Sequence, residues 1–220
     1  CYRGRHIMMG YMANPDLGQE HVDMIAGKNR SSIDKFGWLH SGDKGQRDEN
    51  GMIKITGRYK ELIIGAGGEN VAPVPVEDGV KSRCIAISNI MMFGDKQKFN
   101  VAVVTLKTVG ANGTEPGTDE LDPVVQALDS SCTTLTEAMD SKIIIDAITK
   151  AITDTNNDSK CCPMPPAKIQ KFTILPSDFS SSTDELTPTF KLKRTIVADK
   201  YMKNILGMYE AKGAYVKFSA

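Results

Sequence analysis

Met52, Ile53 and Ile55 set against Lys54 and Thr56 give the near period-two pattern of a strand with one wet face. WLHSGDKGQ precedes them, and Asn50-Gly51 lies between. Asn-Gly supplies the positive φ values that a tight turn demands, so this stretch predicts a hairpin. ELIIGAGGENVAPVPVEDGV then predicts a strand, a glycine turn, a proline-stiffened extended stretch and a short helix from about Val76. CIAISNIMMFGD and KFNVAVVTLK follow as apolar strands linked by a polar turn at Asp95–Lys98, while TVGANGTEPGTDELDP has no periodicity and predicts a loop. PVVQALD predicts a short helix. Within 134–155 a longer one is expected, because Met139, Ile143, Ile144, Ala147, Ile148 and Ala151 keep close to one face. Pro163, Pro165 and Pro166 forbid its continuation. AKIQKFTILP predicts a strand, DFSSSTDELTPTFKLKR a polar loop, and TIVADKYMKNILGMYEA a closing amphipathic helix.

The first third is thus punctuated like β structure, whereas strands and helices alternate after residue 60 as in a small α/β layer. Arg58-Tyr59-Lys60-Glu61 lies between the two patterns and is the expected domain boundary. The chain has 220 residues, 40% of them hydrophobic and 25% charged, an ordinary soluble composition that excludes collagen-like, coiled-coil and fully disordered classes. Its 27 basic and 27 acidic residues cancel, which removes the simplest case for a generic nucleic-acid binder. No apolar run approaches the roughly 18–20 residues of a membrane span. The start, CYRGRH, is neither an initiator Met nor a signal peptide, so a piece of something longer is expected. Cys1, Cys84, Cys132, Cys161 and Cys162 are odd in number and irregular in spacing. They fit reduced thiols in a cytoplasmic compartment better than a disulfide framework or a metal site.

Candidate chemistry sits in three places, each with an ordinary alternative. Gly65-Ala66-Gly67-Gly68 admits a thin ligand close to the backbone, or is simply a turn. In His40-Ser41-Gly42-Asp43, an Asp at a strand end could accept both hydrogen bonds of a ribose diol, or close an Asx-turn. Lys191, Lys193 and Arg194 put three cations in four residues beside Thr187-Pro188-Thr189, suited to a phosphate or carboxylate, or to a solvated face. Arg58 and Lys60 read as solvated charges.

Taken in order, WLHSGDKGQ, NGMIKITGRYKELIIGAGGENVAPVPVEDGV and ELTPTFKLKR resemble the adenylate-forming superfamily of acyl-CoA synthetases, luciferase and adenylation domains. ISNIMMFGDKQKFNVAVVTLK and KIQKFTILPSDF draw the resemblance toward bubblegum-type long-chain fatty acid–CoA ligases. The resemblance implies an α+β fold. Residues 1–58 would be the β-rich end of a truncated N-terminal domain, and 59–220 a mobile C-terminal domain of mixed sheet with flanking helices. It also implies ATP, Mg²⁺ bound outside this segment, CoA as co-substrate and a fatty acid, with no nucleic-acid partner. A cytoplasmic protein is expected, with room for peripheral association with the endoplasmic reticulum or other membranes. By the same resemblance Asp43 and Arg58 address the ribose, and Lys60 is the hinge. Gly67 or Gly68 borders the CoA tunnel, and Lys191 contacts the substrate carboxylate and α-phosphate. Departures are Pro75-Val76-Glu77, which keeps one of two usual glutamates, and Ile64, where many relatives carry lysine. The family's phosphate loop and its Thr-Glu motif are absent, so this segment alone should be inactive. Two alternatives remain: a non-catalytic nucleotide- or partner-binding module, and an adenylating enzyme whose acceptor is a carrier protein or an amine.

Overall fold

A computed structural model describes residues 1–219. The chain divides into two compact units, Cys1–Lys60 and Glu61–Ala220.

In the first unit, α1 (Gln19–Ser32) is followed by an antiparallel hairpin of β1 (Asp43–Arg47) and β2 (Ile53–Arg58). The hairpin answers the alternating pattern. Gly51 at φ 84° and the Asp48 side chain, which accepts the Met52 N–H at 2.8 Å, close its turn. Helix α1 is a departure from the β reading of this stretch. Its residues QEHVDMIAGKNRSS offer only Val22, Ile25 and Ala26 as a thin apolar stripe, too narrow to announce a helix. No described side chain of this unit is buried, and Met9, Met12, Met52 and Ile53 stand exposed.

The second unit holds the core. A short hairpin of β3 (Ile63–Ile64) and β4 (Asn70–Val71) leads into α2 (Pro73–Arg83). This helix begins three residues before the expected Val76, because Pro73 at its first position has the right φ and no N–H to orphan. Strands β5 (Ile87–Phe93), β6 (Asn100–Leu106) and β7 (Ile169–Ile174) form a mixed sheet, with β5–β6 antiparallel and β6–β7 parallel. Every residue of β6 is buried, as a central strand covered on both faces must be. One apolar cluster joins α2 and the middle of the chain to one sheet face; another packs the C-terminal helices on the other.

The single helix expected over 134–155 is two, α4 (Leu135–Ala138) and α5 (Lys142–Asn156), after a one-turn α3 (Pro123–Gln126). Capping explains the break. Thr134 and Glu137 form a reciprocal capping box on α4, and the Ser141 hydroxyl then accepts the Ile144 N–H to start α5. Ile144, Ile148, Ala151, Ile152 and Thr155 face the core, while Ile143 lies on the wet side. The closing helix is likewise divided, into α6 (Arg194–Lys200) and α7 (Met202–Glu210). Lys171 of β7 caps the end of α7, its ammonium donating to the carbonyls of Met208 and Ala211 at 2.9 and 2.6 Å. Among the described residues no helix is long and apolar enough to cross a membrane.

Candidate functional site

In the first unit the β1–β2 register sets Asp43 directly opposite Arg58, and their side chains meet, Arg58 Nε lying 3.3 Å from Asp43 Oδ1. Gly42 at φ 78° turns the chain into β1, with its carbonyl accepting the Tyr59 N–H at 2.8 Å. The local turn bond is made by the Ser41 hydroxyl, which accepts the Asp43 N–H at 3.3 Å. Asp43 is not consumed by an Asx-turn; it is a half-buried carboxylate beside a guanidinium. Lys60 follows in a one-turn 3-10 helix, Tyr59–Glu61, and is exposed.

In the second unit the glycine turn is the tip of the β3–β4 hairpin. The Gly65 N–H donates to Glu69 O at 3.0 Å and the Gly68 N–H to Gly65 O at 2.9 Å. The β5–β6 turn fastens it from the side: the Ala66 N–H donates to Gln97 O at 3.0 Å, and the Lys96 N–H to Ile64 O at 2.7 Å. A hollow of about 150 Å³ lies against this tip, lined in part by Gly65, Gly67, Glu69, Phe99 and Asn100. The two glycines differ in what they permit. A Cβ on Gly67 would stand 2.4 Å from the Glu69 carboxylate, whereas Gly68 has open space but φ +85°.

Lys191 lies on a turn closed by Thr187, whose N–H donates to Lys191 O at 2.8 Å and whose hydroxyl accepts the Lys191 N–H at 3.0 Å. The three neighbouring cations now separate. Lys193 pairs with Asp184, and Arg194 donates through both terminal nitrogens to Glu77 at 2.7 and 2.6 Å. Burial acts to lower the Arg194 pKa, but the Glu77 hydrogen bonds and charge outweigh it and hold the group above its ordinary value. Lys191 is exposed and, among the described residues, its ammonium has no ion-pair partner. Of this cationic run, Lys191 keeps a charge to spend on a ligand.

Two buried acids that the sequence pattern does not single out anchor the segment carrying Lys191. Asp178 accepts from Ser88 Oγ at 2.5 Å, Thr105 Oγ1 at 2.5 Å, Asn89 Nδ2 at 2.9 Å and its neighbour's N–H at 2.8 Å, tying the segment to β5 and β6. Glu185 accepts from Lys200 Nζ at 2.5 Å and from Tyr201 Oη at 3.3 Å, tying it to α6 and the residue after it. Their only sequence signal is an acid followed by one apolar residue, in Asp178-Phe179 and Glu185-Leu186, where a wholly wet loop needs none.

Among the described residues no group of three or more His, Cys, Asp or Glu side chains is placed to hold a metal ion. The first unit offers a carboxylate–guanidinium pair on a strand end, which suits hydroxyls. The second offers a thin glycine turn beside a small hollow and, on a braced turn, an ammonium with no ion-pair partner among the described residues, which suits a phosphate.

Residues 60–161 match the family described as AMP-binding enzyme C-terminal domain. Among curated proteins the chain is similar to long-chain-fatty-acid–CoA ligase ACSBG2 of Gallus gallus, with 47% identity over 207 residues, 91% of this chain and 25% of that protein. It is also similar to ACSBG1 of Homo sapiens, with 41% identity over 216 residues, 96% of this chain and 28% of that protein. The chain therefore spans about a quarter of the length of the curated relatives it matches. Among solved structures it is similar in fold to the adenylation domain of a carboxylate reductase from Mycobacterium chelonae, with TM-score 0.64, 16% identity and coverage of 84% of this chain and 25% of that one. The A domain of carboxylic acid reductase from Segniliparus rugosus gives TM-score 0.63 at 16% identity, covering 83% of this chain and 25% of that one.

Proposed function

We propose that the chain is a C-terminal part of an ATP-dependent long-chain fatty acid–CoA ligase of the AMP-binding, adenylate-forming family. The observation that carries the proposal is the similarity to bubblegum-type ligases along nearly the whole chain. The α+β fold agrees with it. In the first step a carboxylate oxygen of the fatty acid attacks the α-phosphorus of ATP, forming the acyl-adenylate and releasing pyrophosphate. In the second the CoA thiolate attacks the acyl carbonyl carbon, the carbon–oxygen bond to AMP breaks, and acyl-CoA leaves.

Asp43 accepts hydrogen bonds from the ribose hydroxyls, with Arg58 beside it contacting the same region. Lys191 brings its unpaired ammonium to the substrate carboxylate and α-phosphate, where negative charge concentrates as pyrophosphate departs. Gly67 and Gly68 leave the hairpin tip thin enough for the pantetheine arm. Mg²⁺ would enter with ATP as its complex and supply charge neutralisation of the phosphates; among the described residues no group of three or more His, Cys, Asp or Glu side chains is placed to hold it.

Residues 1–58 serve in this reading as the end of a larger N-terminal domain, and 59–220 as a domain that turns about Lys60 between the two steps. The absence of any buried described side chain in Cys1–Lys60 supports the first half, since sixty residues of a finished domain would enclose some core. In this reading the protein is cytoplasmic, with room for peripheral association with the endoplasmic reticulum or other membranes. The test is to assay a full-length protein bearing this chain with ATP, Mg²⁺, palmitate and CoA. Palmitoyl-CoA, AMP and pyrophosphate in equal amounts are expected. Adenylate formation with transfer to a carrier protein or an amine but not to CoA would overturn the assignment of the acceptor.

A further inference from the structure

The turn that bears Lys191 is strained at the residue before it. Phe190 sits at φ 58°, in the left-handed region where Cβ crowds the following carbonyl and bulky side chains are rare. The Phe190 N–H donates to Thr187 O at 2.8 Å and the Lys191 N–H to Thr187 Oγ1 at 3.0 Å. A glycine at 190 would serve those bonds at less conformational cost, so the ring must gain something of its own. Its neighbour is Gly113. A Cβ at Gly113 would stand 2.7 Å from Phe190 Cδ1 and 2.9 Å from Cε1, so the ring rests where that side chain would be. Gly113 is itself at φ +83°.

Gly113 belongs to the stretch that the sequence pattern leaves as a structureless loop. It is neither free nor structureless. Thr108 bridges to Leu121 and Ala111 to Pro116. The Asn112 side chain accepts the N–H groups of both Thr114 and Glu115 at 2.9 Å. This braced segment then reaches across to the Lys191 region: the Ser181 N–H donates to Gly113 O at 2.8 Å, the Ser182 N–H to Thr114 O at 3.0 Å, and Ser182 Oγ to Glu115 Oε2 at 3.2 Å.

We propose that Gly113 and Phe190 form a clasp, in which the 108–121 segment seats the Phe190 ring and so fixes the backbone from which Lys191 projects. Both are positioning residues for the step that Lys191 serves; neither touches substrate. The inference rests on the adenylation role given to Lys191 above, and its test separates the two.

On the 220-residue chain, amide hydrogen exchange at Phe190 and Lys191 reports the turn directly. Gly113→Val is expected to speed exchange at these two amides by about tenfold or more while sparing β5 and β6, because opening there is local. In a Phe190→Gly background the same Gly113 change keeps its backbone strain at φ +83° but loses the ring contact, so its effect at the Lys191 amide should be smaller than in the wild-type chain. Unchanged exchange in Gly113→Val, or fully additive effects in the double variant, would overturn the clasp. In the full-length protein, Gly113→Val should slow acyl-adenylate formation by about 10–100-fold, the scale for a small misplacement of a reacting group. Reaction of presynthesised acyl-adenylate with CoA should keep its rate. Phe190→Tyr, which preserves the ring of a side chain that is 55% exposed, should behave as wild type in both steps. An equal loss in both steps would show a general folding defect and overturn the positioning role. A wild-type protein that forms no adenylate would instead refute the ligase reading, and the exchange result alone would then decide for or against the clasp.

Discussion

Arg194 grips Glu77 across 117 positions of sequence, Nη1 2.7 Å from Oε1 and Nη2 2.6 Å from Oε2, in the parallel fork that only a guanidinium provides. The same Oε1 accepts the Met92 N–H at 2.7 Å, so α2, β5 and the start of α6 meet at one carboxylate. Glu77 is the glutamate that survives in Pro75-Val76-Glu77, and Arg194 is a cation of TFKLKR. Each is spent on the other, and the pair holds the front of α6 within three residues of Lys191.

Removing one partner should therefore cost far more than removing both. Arg194→Met leaves a carboxylate that is 7% exposed without its counter-charge, and a loss of about 3–5 kcal/mol in urea unfolding is expected. Arg194→Lys keeps the charge but not the fork and should fall between. The double variant Glu77→Leu with Arg194→Met should lose less than the sum of the two singles, and strict additivity would show that the pair is not coupled.

The hairpin of β1 and β2, the strands β5 to β7 and the glycine turn were all legible in the chain, because alternation, apolar runs and Asn-Gly or Gly-Gly punctuation are local signals. Helix α1 was not, since Val22, Ile25 and Ala26 make too thin a stripe, and the break between α4 and α5 was masked by apolar residues that continue the helical spacing through the cap at Ser141. At the candidate site the cations were visible but not their fates. That Lys193 goes to Asp184 and Arg194 to Glu77 depends on contacts made in three dimensions, as does the seat of Phe190 on Gly113.

Asp129 should give the fold an acid-sensitive joint. Hydrogen bonds from the Ser131 side chain, then from Ser141 and the Ser131 N–H, lower its pKa from 3.8 to about 2. A depressed carboxylate contributes stability that is complete above the unfolded value and disappears as pH falls through the folded one. The denaturation midpoint should thus decline between about pH 4 and pH 2, and the decline should be shallower in Asp129→Asn. An identical pH profile in that variant would show that Asp129 is not the joint between the α3–α4 connection and the Ser141 cap of α5.

Gly67 and Gly68 should respond differently to a methyl group. Gly67→Ala meets only the far end of the Glu69 side chain, which can swing into water, so stability should change by less than about 0.5 kcal/mol. Gly68→Ala has room but must adopt φ +85°, at a cost of about 1–2 kcal/mol. Thermal unfolding of the two variants checks the order. In the full-length protein, valine at either position should slow thioester formation while sparing ATP–pyrophosphate exchange.

The central claim turns on Lys191, the cation of its run left without a carboxylate partner among the described residues. The decisive measurement takes Lys191→Ala in the full-length protein and follows the two half-reactions separately: ATP–pyrophosphate exchange driven by palmitate, and release of AMP when presynthesised palmitoyl-adenylate meets CoA. Exchange should fall by about 10²–10³-fold, the scale for losing one aimed charge in a dry site, while the second reaction proceeds at its wild-type rate. Equal losses in both, or exchange at the wild-type rate, would contradict the account.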